Sequence, residues 1–165
     1  MRLFHPRPEY GAMEKPDGAI DVLIPVEGPL VVGGRFHMGE KGAPNMLFFH
    51  GNGEIVADYD DLGPLYNRMG MNFLAVDYRG YGRSTGRPSV AAMMADCRAV
   101  FGFTKEWLEA NGYTGAFIVM GRSLGSASAL ELASRYRDRV DALVVESGFA
   151  HTGPLLELLG IDTAG

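Results

Sequence analysis

The stretch Phe117-Ile118-Val119-Met120-Gly121-Arg122-Ser123-Leu124-Gly125-Ser126 decides the fold of this chain. A short apolar run ends in Gly-x-Ser-x-Gly, and a helical pattern over residues 124–136 follows without a gap. That pattern has a mechanical basis: the serine occupies a strained turn between strand and helix, and glycines flank it because backbone and helix pass too closely for a Cβ. The hydroxyl then stands above the strand ends. The helix start beneath it favours developing negative charge.

Working outward, further short apolar runs lie at residues 46–49, 73–76 and 142–145, and helical patterns occupy residues 55–69 and 90–110. Continuous apolar strands alternating with helices of crossover length predict a parallel sheet covered on both faces. Two β-like runs upstream, 20–24 and 30–32, meet near Glu27-Gly28-Pro29 and predict an antiparallel hairpin at the start of the sheet. Ser89 is placed to cap the helix that begins at Val90, and Asn111-Gly112 to end it. On that helix Met93, Val100, Phe103 and Trp107 recur at helical spacing and form a core-facing stripe, with Cys97 buried on it.

With 165 residues, the chain is expected to be a single domain, 1–165, with one main core. Fifteen Lys and Arg against twenty Asp and Glu give a net charge of −5, with no basic block, so nucleic acid is not an expected partner. Twenty-three glycines are about twice ordinary usage and fit many tight turns between strands and helices. The one cysteine cannot form an internal disulfide, and no Cys/His zinc spacing occurs. The first residues lack the apolar run of a secretory signal, and no stretch has the length of a membrane span. A cytoplasmic protein with no integral membrane segment is the expectation.

His50-Gly51-Asn52-Gly53 follows the run 46–49, which in a parallel sheet brings it to the same carboxyl edge as Ser123. Acyl transfer needs two backbone N–H donors aimed at the oxyanion, one after the nucleophile and one from another strand-end loop. Leu124 and Asn52 are the natural pair. A dinucleotide fingerprint competes for the same glycines, but Val56 stands where its third glycine belongs, and Thr85 breaks the similar Gly80-x-Gly82 pattern. The segment Asp77-Tyr78-Arg79-Gly80-Tyr81-Gly82 reads as a structural loop in which Asp77 and Arg79 fix the turn.

These three segments, with Gly86-x-Pro88-Ser89 and Leu132-Ala133-Ser134-Arg135-Tyr136, resemble the α/β-hydrolase superfamily over roughly residues 45–150. Within it the chain is similar to small bacterial serine hydrolases related to protein depalmitoylases. The resemblance implies an α/β-hydrolase fold, Ser123 as nucleophile, and the Asn52 and Leu124 amides as oxyanion hole. It also implies a small-molecule or acyl ester or thioester as substrate, with no metal or organic cofactor. The rival reading is a non-catalytic module that keeps the fold for binding or assembly. A dehalogenase is disfavoured because such enzymes generally carry Asp where Ser123 stands.

The family order is Ser, then Asp or Glu, then His, and the chain ends at Gly165 before a seventh or eighth strand can be recognised. The triad acid and histidine are therefore expected beyond residue 165. Glu146, at the end of the sixth strand, is the local candidate for the acid, and His151 the one histidine after Ser123. Strand 142–145 is apolar on both faces, so a missing C-terminal segment or a partner chain is expected to cover it. Serine without a base is a weak nucleophile. Residues 1–165 expressed alone should thus not hydrolyse p-nitrophenyl acetate at an enzymatic rate when measured beside a Ser123→Ala control. A soluble monomer turning over hundreds of times faster than that control would place the base inside this chain, with His151 the first residue to mutate.

Overall fold

The computed structural model describes residues 3–10 and 15–148. Two strands, β1 (Ala19–Glu27) and β2 (Leu30–His37), form the expected hairpin. Gly28 turns it at φ 52°, a left-handed conformation that costs a residue without Cβ little. The apolar runs become β3 (Asn45–Phe49), β4 (Asn72–Val76), β5 (Phe117–Arg122) and β6 (Ala142–Glu146). The sheet order is β1-β2-β4-β3-β5-β6, in which β2 meets β4 antiparallel and β4, β3, β5 and β6 run parallel. This is the mostly parallel α/β-hydrolase sheet with its antiparallel opening hairpin. Its parallel strands all deliver their carboxyl ends to one edge.

Alternation along the strands divides the core. Leu47, Phe49, Leu74, Val76 and Val119 face one side with Met93, Cys97, Val100 and Phe101 of α2 (Val90–Ala110) and Ala129 and Leu132 of α3 (Gly125–Arg135). Met46, Phe48, Phe73, Ala75 and Met120 face the other with Val56 and Tyr59. Helix α2 has the expected bounds: the Ser89 hydroxyl accepts from Ala92 N at 3.1 Å, and Gly112 leaves it at φ 72°. The pattern 55–69 does not form one helix. It divides into a 3₁₀ turn, Val56–Tyr59, and α1 (Leu62–Arg68). Pro64 has no N–H to bond back to residue 60, so a continuous helix would lose a rung there.

The stripe on α2 is also shifted. Met93, Cys97 and Val100 are buried as expected, but the face continues through Phe101, Thr104 and Leu108, while Phe103 and Trp107 flank it half-buried. Asp96 lies on the buried face because Arg79 grips it with two bonds of 2.7 Å and also reaches Glu27 at 2.8 Å. A buried carboxylate is tolerated only with such a partner. Among the described residues β6 pairs with β5 alone, and Leu143, Val144 and Val145 remain 40%, 38% and 43% exposed. No helix of the described residues is long and apolar enough to cross a membrane.

Burial pushes the Cys97 thiol up to about 12. The native state favours the neutral thiol, so its contribution to stability is intact below the unfolded value of about 9 and is lost as pH rises from there toward 12. Iodoacetamide at about pH 8 should leave Cys97 unmodified in the native protein and alkylate it in guanidinium. Equal rates in both states would contradict its burial.

Candidate active site

Between Arg122, the last residue of β5, and Gly125, the first of α3, the chain reverses direction in two residues. Ser123 takes φ 49°, a conformation that side chains rarely adopt and that costs on the order of 1–2 kcal/mol. Its amide donates to the Glu146 carbonyl at 2.9 Å, and its own carbonyl accepts from Ser126 N at 3.0 Å. The flanking glycines are required by contact. A Cβ on Gly121 would lie 2.4 Å from the Gly125 carbonyl oxygen, and one on Gly125 would lie 2.1 Å from the Phe49 oxygen. Thus the Gly-x-Ser-x-Gly spacing follows from α3 starting directly against the end of β3.

The loop after β3 is held from beneath by the loop after β4. His50 is fully buried, with Nδ1 2.8 Å from the Gly51 oxygen and Nε2 3.2 Å from Asp77 Oδ1. Both ring nitrogens thus face oxygen acceptors, and the buried imidazole bridges the loops after β3 and β4. Asp77 Oδ1 also accepts from Val56 N at 3.0 Å, and the Tyr78 hydroxyl donates to the His50 carbonyl at 2.6 Å. Gly82, at φ 52°, has to lack a Cβ because one there would sit 2.1 Å from Asp77 Oδ2.

Asn52 is exposed, yet its side chain is fixed. Its Oδ1 accepts from the Tyr81 hydroxyl at 2.7 Å and from the His5 amide at 3.0 Å, while Nδ2 donates to the Leu3 carbonyl at 2.6 Å. Among the described residues neither the Asn52 nor the Leu124 main-chain N–H donates a hydrogen bond.

Of the residues singled out from sequence, Ser123, Leu124, Asn52 and Glu146 all lie at the carboxyl edge, at the ends of the adjacent strands β3, β5 and β6. Glu146 stands opposite Arg122 in the β5–β6 register, and its Oε1 is 3.2 Å from Arg122 Nε. Its charge adds to the burial that pushes the Tyr59 and Tyr66 phenols above their ordinary values. Asp141 is at the opposite edge, accepting from Phe117 N at 2.6 Å, and Glu131 pairs with Arg98 at 2.9 Å. His151 lies outside the described residues.

Sequence reasoning missed four residues of this edge: His5, Glu54, Tyr81 and Arg122. Glu54 left a legible signal, since a Glu three residues after Gly51 can return to that residue's amide in the manner of a capping box, and it does so at 2.7 Å. The contacts of His5 and Tyr81 with Asn52 join residues 47 and 29 positions apart, which no local pattern encodes.

Residues 42–159 match the family model described as serine aminopeptidase, S33. The protein bem46 of Schizosaccharomyces pombe is 33% identical over 110 residues, covering 66% of this chain and 36% of that protein. The lysophosphatidylserine lipase ABHD12 of Xenopus tropicalis is 34% identical over 113 residues, covering 66% and 28%. The chain thus spans about a third of the length of these curated relatives. Among solved structures, a predicted CIB-like hydrolase from Thermoplasma acidophilum superposes with a TM-score of 0.61 at 27% identity, over 84% of this chain and 67% of that one. A Pyrococcus furiosus esterase gives 0.69 at 20% identity, over 90% and 59%, a likeness of fold.

The φ of Ser123 predicts an ordering of variants. Ser123→Ala keeps the strained turn, whereas Ser123→Gly releases it, so the glycine variant should be the more stable by about 1 kcal/mol, or roughly 2–4 °C in melting temperature. Equal melting temperatures would show that the turn is not strained.

Proposed function

The chain belongs to the S33 serine aminopeptidase family of α/β-hydrolases, and on that premise we propose that it carries the nucleophile and oxyanion hole of a serine hydrolase acting on an acyl ester or thioester. The observation that carries this reading is Ser123 at φ 49° between β5 and α3, at the same carboxyl edge as two main-chain amides, of Asn52 and Leu124, that have no partner among the described residues. Ser123 Oγ attacks the substrate carbonyl and passes its proton to a histidine. The developing oxyanion accepts hydrogen bonds from the Asn52 and Leu124 N–H groups. Collapse of the tetrahedral intermediate expels the alcohol or thiol, which takes the histidine's proton. Water then releases the acid from the acyl-enzyme by the same steps in reverse order.

The histidine and the acid come, in this proposal, from sequence beyond residue 165. Glu146 is the alternative acid. Its contact with Arg122 favours instead a role in bracing the strand ends. An acyl ester is supported by the relative that bears the name of a lysophosphatidylserine lipase. The chemistry calls on no metal or organic cofactor, and the lone buried cysteine suits the cytoplasm.

In the full-length polypeptide that carries this sequence, a fluorophosphonate should modify Ser123. Ser123→Ala should remove the labelling and lower esterase turnover by on the order of 10⁴ or more. Labelling that persists in the variant would overturn the assignment. A full-length protein that neither labels nor hydrolyses esters would instead be a binding module on this fold.

A further inference from the structure

The two amides proposed for the oxyanion hole sit on separate segments, so their separation must be fixed by something other than their own loops. The sheet fixes it as far as the last paired residues, Phe49 and Gly121. Beyond them, Glu54 lies two residues after Asn52, and Arg122 two before Leu124. One Glu54 oxygen, Oε2, accepts from Gly51 N at 2.7 Å and from the Tyr59 hydroxyl at 2.5 Å, and the other is ion-paired with Arg122. Gly51 admits this carboxylate because a Cβ there would approach it to 2.9 Å. Arg122 continues to Glu146 at 3.2 Å, so a single chain of charges runs from the β3 loop across the β5 turn to the end of β6.

We propose that the Glu54–Arg122 pair is a positioning device that holds the Asn52 loop and the Leu124 turn at the separation the oxyanion requires. The inference rests on the serine hydrolase reading above. The side chains of the pair are 26% and 39% exposed, and ion pairs so placed contribute little to stability. Their effect is therefore on geometry. Displacing a catalytic group by about 1 Å can cost on the order of a hundredfold in rate. The isosteric Glu54→Gln tests this cleanly, because a glutamine that keeps its oxygen toward Gly51 and Tyr59 turns its NH₂ toward Arg122, donor against donor.

The test uses the full-length polypeptide, with active sites counted by fluorophosphonate titration. Glu54→Gln and Arg122→Gln should each lower kcat per titrated site by about ten- to a hundredfold, with KM within about twofold and melting temperature within a few degrees. The double variant should be little worse than either single one, because both remove the same link. Arg122→Lys should recover part of the loss. The inference is overturned if turnover per titrated site is unchanged while only the titratable fraction or the melting temperature falls, or if the two single effects multiply. Absence of Ser123 labelling in the parent protein would overturn the hydrolase reading and this inference together, so the two failures are told apart by the parent alone.

Discussion

The contact on which the rest of the site depends is the approach of α3 to β3. Gly125 lies so close to the Phe49 carbonyl that a side chain there is excluded, and the same proximity forces Ser123 through φ 49°. The strain persists because its surroundings hold it. The Ser123 amide is bonded to the end of β6, and its carbonyl is bonded to the first turn of α3. A turn fixed at both ends has no freedom to relax, and a side chain carried on it is presented at a constant height above the strand ends.

The second support is polar and buried. His50, Asp77 and Tyr78 form a connected set between the loops after β3 and β4, and Tyr81 extends it to Asn52. Buried polar networks of this kind add rigidity when their members are paired. A parallel arrangement also appears lower in the sheet, where Arg35, fully buried, is bonded to Asp21 at 2.7 Å and to Asp60 at 2.6 Å. The loops at the carboxyl edge are thus built like a core, although their composition is that of turns.

That difference explains what the sequence could and could not yield. The strands were legible because β3 and β4 are apolar on both faces, and the limits of α2 because Ser89 and Gly112 act locally. The break at residues 60–61 was legible in principle from Pro64, but the apolar period on either side masks it. Ser123, Asn52 and Leu124 were placed on one edge by the topology of a parallel sheet. Arg122 and Tyr81 escaped notice because their partners come from a distant loop, the one after β3, and within Gly-rich segments such residues look like ordinary solvated loop positions.

The charges around Ser123 are divided between the two faces of the sheet. Arg122 shares the parity of Ile118 and Met120, which pack on the face of Phe48, Phe73 and Tyr59, and there it meets Glu54 and Glu146. Helix α3 begins on the other side, against the end of β3. In the proposed reaction, two carboxylates beside Arg122 and without its charge would oppose the growth of negative charge on a substrate carbonyl. The arginine between them offsets one full charge, and the N-terminal end of α3 adds a partial positive charge from the opposite face. On the proposed mechanism, an arginine directly before the serine therefore reconciles two demands: carboxylates that can fasten three strand ends together, and a potential that would still accept an oxyanion there.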